Sequence, residues 1–386
     1  MSAPEESEAR SILLVTNDLG PRAGGIETFI LGLIEQLPRS EIVVYTSSQS
    51  GDMAFDEQLL ARLGVIVYRD SAKVLLPTPR VNRAVARVMQ QHRAEVVWFG
   101  AATPLAWMAP YLRRRGASRI ISLSHGHEVW WSKLFPFSLV VRHIGNSLDV
   151  VTYLGEFTKR AMRPALGPKV QLIQIAPGID IHHFTPGERS SELVDQFQLQ
   201  GKRVLISVGR LVHRKGQDRL IEAMPAILRE VPNAVLLFIG TGPYKRELEK
   251  LVAKHNLSTS VLFVGRLTYP ELPAYFRLGD VFAMPSRSRF FGLEVEGLGI
   301  VYLEASACGL PVIAGNSGGA PDAIIEGVTG FAVDGTDVPQ IASAAIKLLS
   351  NLELSSRMGI AGRAWIEKEW DWDLWGARFA QVLKGD

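Results

Sequence analysis

The sequence has a single cysteine, Cys308, in 386 residues. That scarcity excludes a disulfide framework and any zinc or iron–sulfur site built from thiolates, and it fits a reducing, cytoplasmic compartment. Long apolar runs are also missing. No stretch approaches the roughly 20 residues of a membrane-spanning helix, and the acidic start, MSAPEESEA, lacks the basic and apolar regions of a signal peptide. The chain is expected to be soluble or peripheral. Charged residues make up only 21% against 47% hydrophobic, so extensive disorder is excluded and only those first nine residues read as a solvated tail. Nucleotide fingerprints are absent too. There is no GxxxxGK[ST], and the nearest approach to GxGxxG, from Gly240 to Lys245, lacks the third glycine and does not follow the first strand.

What is present is a long alternation. Short β-rich apolar runs (SILLVT, EIVVYTS, GVIVYR, EVVWFG, RIISLS, DVVTYL, VQLIQI) alternate with helical patterns, the signature of parallel βαβ units. A second series (RVLISVG, AVLLFIG, VLFVG, DVFAMPS, PVIAG, GFAVD) starts afresh after the Pro- and Gly-rich stretch APGIDIHHFTPGERSSE. The length suits two domains. The expected fold is α/β: two facing, doubly wound, Rossmann-like domains over residues 1–186 and 187–370. A terminal helix over 371–386 carries Trp372, Trp375, Phe379 and Val382 on one face; it is expected to cross back and pack on the N-terminal domain, with packing on its own domain the alternative that the pattern alone leaves open. Asp371-Trp372-Asp373 reads as an N-cap rather than a metal–nucleotide site. His125-Gly126-His127 has no further ligand cluster, so no metal site is assigned.

The net charge of +3 is unevenly distributed. Between Ser71 and Arg142, 11 Lys and Arg face two acids, Glu95 and Glu128, while the remainder is net acidic. Such a segment suits an anionic partner, nucleic acid or membrane, or is a solvated face. Apolar residues interleave it: Val74, Leu75, Leu76, Trp130, Trp131, Leu134, Phe135 and Phe137.

Three segments carry chemistry. After the first strand, Gly24-Gly25 opens a helix, allowing close backbone approach and offering free N–H groups to an anion, or else forms a plain turn. After the first strand of the second series, Gly209 leads to Arg210 and Lys215, two cations placed to meet a diphosphate. The third segment is FGLEVEGLGIVYLEASACG. There Glu296 lies in a glycine-rich loop and Glu304 in a helix from about Gly299 to Cys308, two carboxylates able to grip hydroxyls with N–H groups between them for a phosphate.

Together these residues resemble the retaining glycosyltransferases of family 4, of GT-B architecture, whose mark is Glu-x7-Glu, here Glu296 to Glu304. Gly24-Gly25, Arg210 and Lys215 in GRLVHRKGQ, and His125 after RIISLS are the companion marks. The stretches NDLGPRAGGIETF, SHGHEVWWS and GLEVEGLGIVYLEASACGLPVIAGNSGGAPD most resemble the GDP-mannose-dependent phosphatidylinositol mannoside mannosyltransferases of the PimB type. The lead-in RFFGLEVEG and the pair Trp130-Trp131 depart from the pattern.

The resemblance implies transfer of a second mannose, in α-1,6 linkage, from GDP-mannose to an anionic phosphoinositide glycolipid, phosphatidylinositol monomannoside. The work would be done at the inner face of the plasma membrane, through the basic N-terminal domain and with no nucleic acid partner. It implies that Arg210 and Lys215 neutralise the diphosphate without a metal or other cofactor, that Glu296 holds mannose hydroxyls and Glu304 the ribose. Gly299, Ile300 and Val301 would offer N–H groups, Arg266 would stand beside the base, and His125 would bond mannose or acceptor. Rival readings are a family 4 enzyme for another nucleotide sugar or acceptor, and a GT-B-like epimerase or nucleotide-binding module.

Overall fold

The computed structural model describes residues 11–22, 24–39 and 41–385; the polar first nine residues lie outside that range. The chain forms two compact units, one of residues 11–178 with Trp372 to Gly385, the other of Ile179–Asp371.

The first unit holds β1 (Ile12–Thr16), β2 (Ile42–Ser47), β3 (Ile66–Asp70), β4 (Val96–Phe99), β5 (Arg119–Ser122), β6 (Val150–Tyr153) and β7 (Gln171–Gln174). They form one sheet in the order β3-β2-β1-β4-β5-β6-β7, with every pair parallel. Strands β1, β2, β4 and β6 are buried throughout, as expected where helices cover both faces, which is why they read as unbroken apolar runs rather than alternating ones.

The second unit holds β8 (Arg203–Val208), β9 (Ala234–Ile239), β10 (Val261–Gly265), β11 (Val281–Met284), β12 (Val312–Gly315) and β13 (Gly330–Val333). The order is β10-β9-β8-β11-β12-β13, again all parallel. Each sheet reverses direction of growth beside its own first strand, between β1 and β4 and between β8 and β11. In doubly wound sheets the loops leaving the strands diverge at that point, opening a crevice for ligands.

The units divide ahead of Gly187. Ile179 donates its N–H to the Trp370 carbonyl (2.7 Å), and Phe184 packs edge-on against Tyr269 and Phe276. IDIHHF therefore belongs to the second unit. The terminal helix Trp372–Lys384 belongs to the first. Phe379 sits 4.8 Å, edge to face, from Trp98, Arg119 Nε donates to the Val382 carbonyl (2.7 Å), and the Trp372 ring fills the space left by Gly32, where a Cβ would come within 2.4 Å.

The basic segment is only partly a free surface. Leu75 is fully buried, and Trp131 packs against the first core. Arg113 pairs with Asp149 (2.7 Å), Arg80 with Asp70 (2.8 Å), and Arg115 lies over the Tyr111 ring. Among the described residues no helix is long and apolar enough to cross a membrane.

Candidate active site

In the second unit, the loops leaving β8 and β11 meet at the sheet's switch point. The Arg287 N–H donates to the Arg214 carbonyl (2.8 Å), fastening one loop to the other. Beyond β8, Gly209 has φ 150°, and the chain reaches a short 3-10 turn, His213–Lys215, closed by Gly216 at φ 78°. A side chain at Gly216 would meet the Pro285 carbonyl at 2.0 Å, so this glycine is required both by its backbone and by its neighbour. The turn buries Lys215 and aims it, with Arg214, at one carboxylate: Lys215 Nζ is 2.8 Å and Arg214 Nη1 2.6 Å from Glu296 Oε2.

Glu296 is itself held by backbone contacts. Its N–H donates to Ser317 Oγ (3.3 Å) and its carbonyl accepts from the Gly319 N–H (2.8 Å). Gly318 and Gly319 permit this approach, since a Cβ on either would come within 2.2 Å of the Glu296 or Gly297 carbonyl. Burial alone would raise the carboxyl of Glu296, but the charges of Lys215 and Arg214 outweigh it and hold the group below its ordinary range. It is ionised at neutral pH. Arg214, Lys215, Arg287 and Arg289 against Asp218, Glu294 and Glu296 leave the cluster one positive charge in excess, a field suited to an anionic ligand.

A second ion pair braces the loops from behind. Arg287 is bidentate to Asp218, Nη1–Oδ1 2.9 Å and Nη2–Oδ2 2.7 Å, and its Nη2 lies 2.9 Å from the His213 ring. Both charged groups are buried, where a paired fork geometry repays desolvation and an orphaned partner would not. Burial first and the Arg287 charge second lower the His213 pKa, so that ring is neutral.

The helix Ile300–Ala307 begins at Gly299, φ 83°. A side chain there would strike the buried Tyr302 ring at 2.4 Å, and that ring is fixed by its hydroxyl donating to the Met284 carbonyl (2.7 Å). Among the described residues no side chain caps this N-terminus. The N–H groups of Ile300 and Val301 are among the first-turn donors that have no partner within a helix. One turn on, Glu304 is buried and, among the described residues, its carboxyl has no hydrogen-bond or ion-pair partner. Burial pushes it up to about 7, and an unpaired buried carboxyl is costly unless something binds it. The lead-in is tight: Phe290 and Phe291 have φ of 50° and 55°, uncommon for bulky residues, inside a turn closed by two backbone bonds between Arg289 and Glu294.

Arg210 and Arg266 stand apart from this cluster. Both are exposed, after β8 and β10, and among the described residues the Arg210 guanidinium has no ion-pair partner. Lys215 and Glu296, by contrast, are in direct contact. Sequence reading passed over Arg214, Asp218 and Arg287, although the crowded charges of VHRKGQD and the Arg after the β11 strand were signals, and it gave Gly318 and Gly319 no role.

The first unit carries Gly24, Gly25 and His125. Gly24 is extended, φ −167°, and leaves room for the Glu27 carboxylate, which a Cβ would meet at 2.3 Å; a Cβ on Gly25 would meet nothing. The helix N-terminus already holds an acid, with Glu27 buried against Arg22 Nε (2.6 Å) and Arg22 Nη2 reaching Asp18 (3.2 Å). Burial, then the nearby Glu27 charge, raises Asp18. His125 Nε2 lies 2.6 Å from the Gly100 carbonyl, an acceptor, so Nε2 carries the proton and Nδ1 is left as the acceptor. Burial outweighs the nearby Glu128 and lowers its pKa, so the ring is neutral. The buried Glu128 accepts the His125 and Gly126 N–H groups (3.0 and 3.1 Å) and fixes the loop.

A family model of group 1 glycosyl transferases matches residues 190–365, and one of glycosyltransferase family 4 matches residues 23–183. A GDP-mannose-dependent alpha-(1-6)-phosphatidylinositol monomannoside mannosyltransferase of Mycolicibacterium smegmatis is 43% identical over 376 residues, 97% of this chain and 98% of the relative. A monoacylated phosphatidylinositol monomannoside mannosyltransferase of Corynebacterium glutamicum is 40% identical, covering 98% and 99%. Among solved structures, Anabaena HepE in complex with UDP aligns over 97% of this chain and 100% of its own, TM-score 0.81 at 19% identity, and a Thermosynechococcus elongatus sucrose-phosphate synthase aligns over 97% and 99%, TM-score 0.80 at 21%. Those likenesses carry the fold, two parallel sheets in the GT-B architecture. Identity of this degree over nearly full length carries more: the chain belongs to glycosyltransferase family 4 and is a glycosyltransferase.

Proposed function

We propose that this enzyme transfers mannose from GDP-mannose to phosphatidylinositol monomannoside, adding the second mannose in α-1,6 linkage with retention of configuration. The relatives that span nearly the whole chain are named for this donor and acceptor. The observation that carries the reading at the level of residues is Glu296, a buried carboxylate neutralised by Lys215 and Arg214 beside an uncapped helix start.

In this reading Arg210 and Lys215 meet the donor diphosphate and gain strength as the C1–O bond breaks and charge develops on the leaving phosphate. Arg214 remains to balance Glu296, which accepts bonds from mannose hydroxyls. Ile300 and Val301 offer N–H groups behind Gly299, and Glu304 accepts from the ribose hydroxyls. Arg266 stands beside the base, and His125 serves mannose or acceptor. The acceptor hydroxyl forms its bond to C1 on the face the phosphate leaves and gives its proton to a phosphate oxygen, with no covalent enzyme intermediate. The side chains supply the positive charge, and no divalent metal is assigned a role. Because the acceptor is an anionic lipid, the enzyme works peripherally at the inner face of the plasma membrane, the basic first unit towards it.

The test is incubation with GDP-mannose or UDP-glucose and detergent-dispersed phosphatidylinositol monomannoside, with and without EDTA, followed by mass spectrometry and NMR of the product. A mannosylated lipid with an α-1,6 linkage, formed in EDTA, is expected. Transfer from UDP-glucose alone, or none to this acceptor, would overturn the reading.

A further inference from the structure

The second unit carries a cavity of about 450 Å³ at the edge of its sheet where the strands begin. Of the residues that line it, Gly279 stands just before β11, and Gly309 and Leu310 just before β12. Because the strands are all parallel, this edge is opposite the one from which the loops bearing Lys215 and Arg287 leave. The helix Ile300–Ala307 runs between the two edges. Its first residue follows Gly299 of the candidate active site, and its C-cap, Cys308, lines the cavity. The helix Leu352–Glu369 forms the facing wall and meets the other backbone closely: a Cβ on Gly359 would come within 2.0 Å of the Gly309 carbonyl.

Two arginines line this cavity, and only one is spent. Arg363 donates to the carbonyls of Phe184 (2.6 Å), Ala307 (3.0 Å) and Ile181 (3.0 Å), and its Nε is paired with Glu367 (2.6 Å), so it ties the walls together with its charge balanced. Arg277 is half-buried and donates its Nε to the Pro273 carbonyl (3.2 Å). Gly187 makes room for the rest of the guanidinium, since a Cβ there would come within 2.9 Å of Nη1. Among the described residues that guanidinium has no ion-pair partner. Asp280, three positions on, is committed to Arg189 (2.8 Å) and the Val204 N–H (2.7 Å). A partly desolvated cation with no acid beside it is costly unless a ligand supplies the anion, and a guanidinium presents its N–H groups as a fork that fits a carboxylate or phosphate. The surface beside it is apolar: Leu310 is buried, Ala364 stands on the facing helix, and Ile360, 69% exposed, stands one turn before it.

We propose that this cavity binds a small organic anion, a phosphate ester or a carboxylate, whose oxygens take the Arg277 fork and whose body lies on Leu310, Ile360 and Ala364. The volume falls among those of small-molecule pockets, roughly 300 to 1,000 Å³, and a bare inorganic ion would leave most of it unfilled. The site is distinct from the diphosphate cluster, at the other end of the helix that begins at Gly299, and it depends on neither the donor nor the acceptor of the transfer reaction.

The experiment is isothermal titration of the full chain with phenyl phosphate, inorganic phosphate and phenol, for wild type, Arg277→Met and Ala364→Phe. Wild type should bind phenyl phosphate, and Arg277→Met should weaken that binding at least about tenfold, the scale of a lost hydrogen bond to a charged group. Ala364→Phe keeps the guanidinium but fills the cavity, and should weaken binding comparably. It changes an exposed helix position, so it carries the test should Arg277→Met fail to fold. Phenol, which lacks the charge, should bind at least about tenfold more weakly than phenyl phosphate. Wild type that does not bind phenyl phosphate, variants that bind it as wild type does, or phenol bound equally well would each overturn the proposal. Inorganic phosphate bound as tightly as phenyl phosphate would also overturn it, the cavity then holding an adventitious ion only. Phenyl phosphate taken up at the Lys215 cluster instead would ignore both cavity variants, so the fate of this site and that of the donor reading are told apart.

Discussion

Lys215 and Glu296, 81 positions apart in sequence, form an ion pair of 2.8 Å in which both groups are buried. One cation too many surrounds that carboxylate, because Arg214 reaches the same oxygen. Removing Lys215 therefore leaves Glu296 compensated while subtracting one charge from the place where a diphosphate would sit. Lys215→Ala should keep its fold and lose at least about 100-fold in kcat, the scale of a lost charge-stabilising group of roughly 3 to 4 kcal/mol. Steady-state kinetics with circular dichroism checks this. Near-normal turnover in a folded variant would remove Lys215 from the reaction.

Glu296→Gln takes away the charge but not the shape, leaving Lys215 and Arg214 without their common partner. Transfer should fall by at least about tenfold through lost hydrogen-bond acceptance at the sugar. GDP affinity should hold or rise, because the released cations face the diphosphate. Isothermal titration with GDP beside product formation separates the two effects, and an equal loss in both would argue for a merely structural carboxylate.

Glu304 makes a pH-dependent prediction of its own. Its carboxyl, pushed up to about 7 by burial alone, binds a proton in the native state that an unfolded chain releases near 4.5. Its contribution to stability is therefore most favourable below about pH 4.5 and declines as pH rises towards 7, the sign for a raised acid. Glu304→Gln should consequently be more stable than wild type above pH 7, by on the order of 3 kcal/mol, and gain little near pH 4.5. If the group accepts ribose hydroxyls, GDP binding favours its ionised form. Proton release on GDP binding near pH 6.5, read by calorimetry in buffers of different ionisation enthalpy, should then disappear in the variant. Undiminished release would sink the ribose assignment.

The Arg287–Asp218 pair should behave as a unit. Arg287→Met or Asp218→Asn alone orphans a buried charge or donor and should cost about 3 kcal/mol or more, raising KM for GDP-mannose through displacement of the Arg214-Lys215 turn. The double variant should cost less than the two single losses added together. Additive losses in a thermal-denaturation double-mutant cycle would mean that the two side chains do not share their energy.

Much of this was legible in the residues. The strands of both sheets stand where the apolar runs stood, because a strand buried on both faces leaves a continuous hydrophobic signature. The helix after Gly299 was marked by glycines at both ends, Gly299 at φ 83° and Gly309 at φ 79°, and the spacing of Glu296 and Glu304 was visible at once. Less visible were the partners. Arg210 and Lys215 looked equivalent as cations after one strand, yet Lys215 is buried on Glu296 and Arg210 is exposed. Leu75 and Phe135 looked alike as apolar residues in a basic stretch, yet one is core and the other is 80% exposed.

The sequence by itself determined the elements, their parallel class and the residue types available for chemistry, since those depend on local periodicity, caps and turn residues. The tertiary structure alone decided which charges meet. The order β8-β11 brings loops leaving distant strands side by side, so Arg214 reaches Glu296 and Arg287 reaches Asp218. It also decided where the chain divides and that the last helix returns to the first unit, through Trp372 in the gap at Gly32 and Phe379 against Trp98. An apolar helical face records that something must cover it; which surface does so depends on the shape of the partner, and shape exists only once the chain has folded.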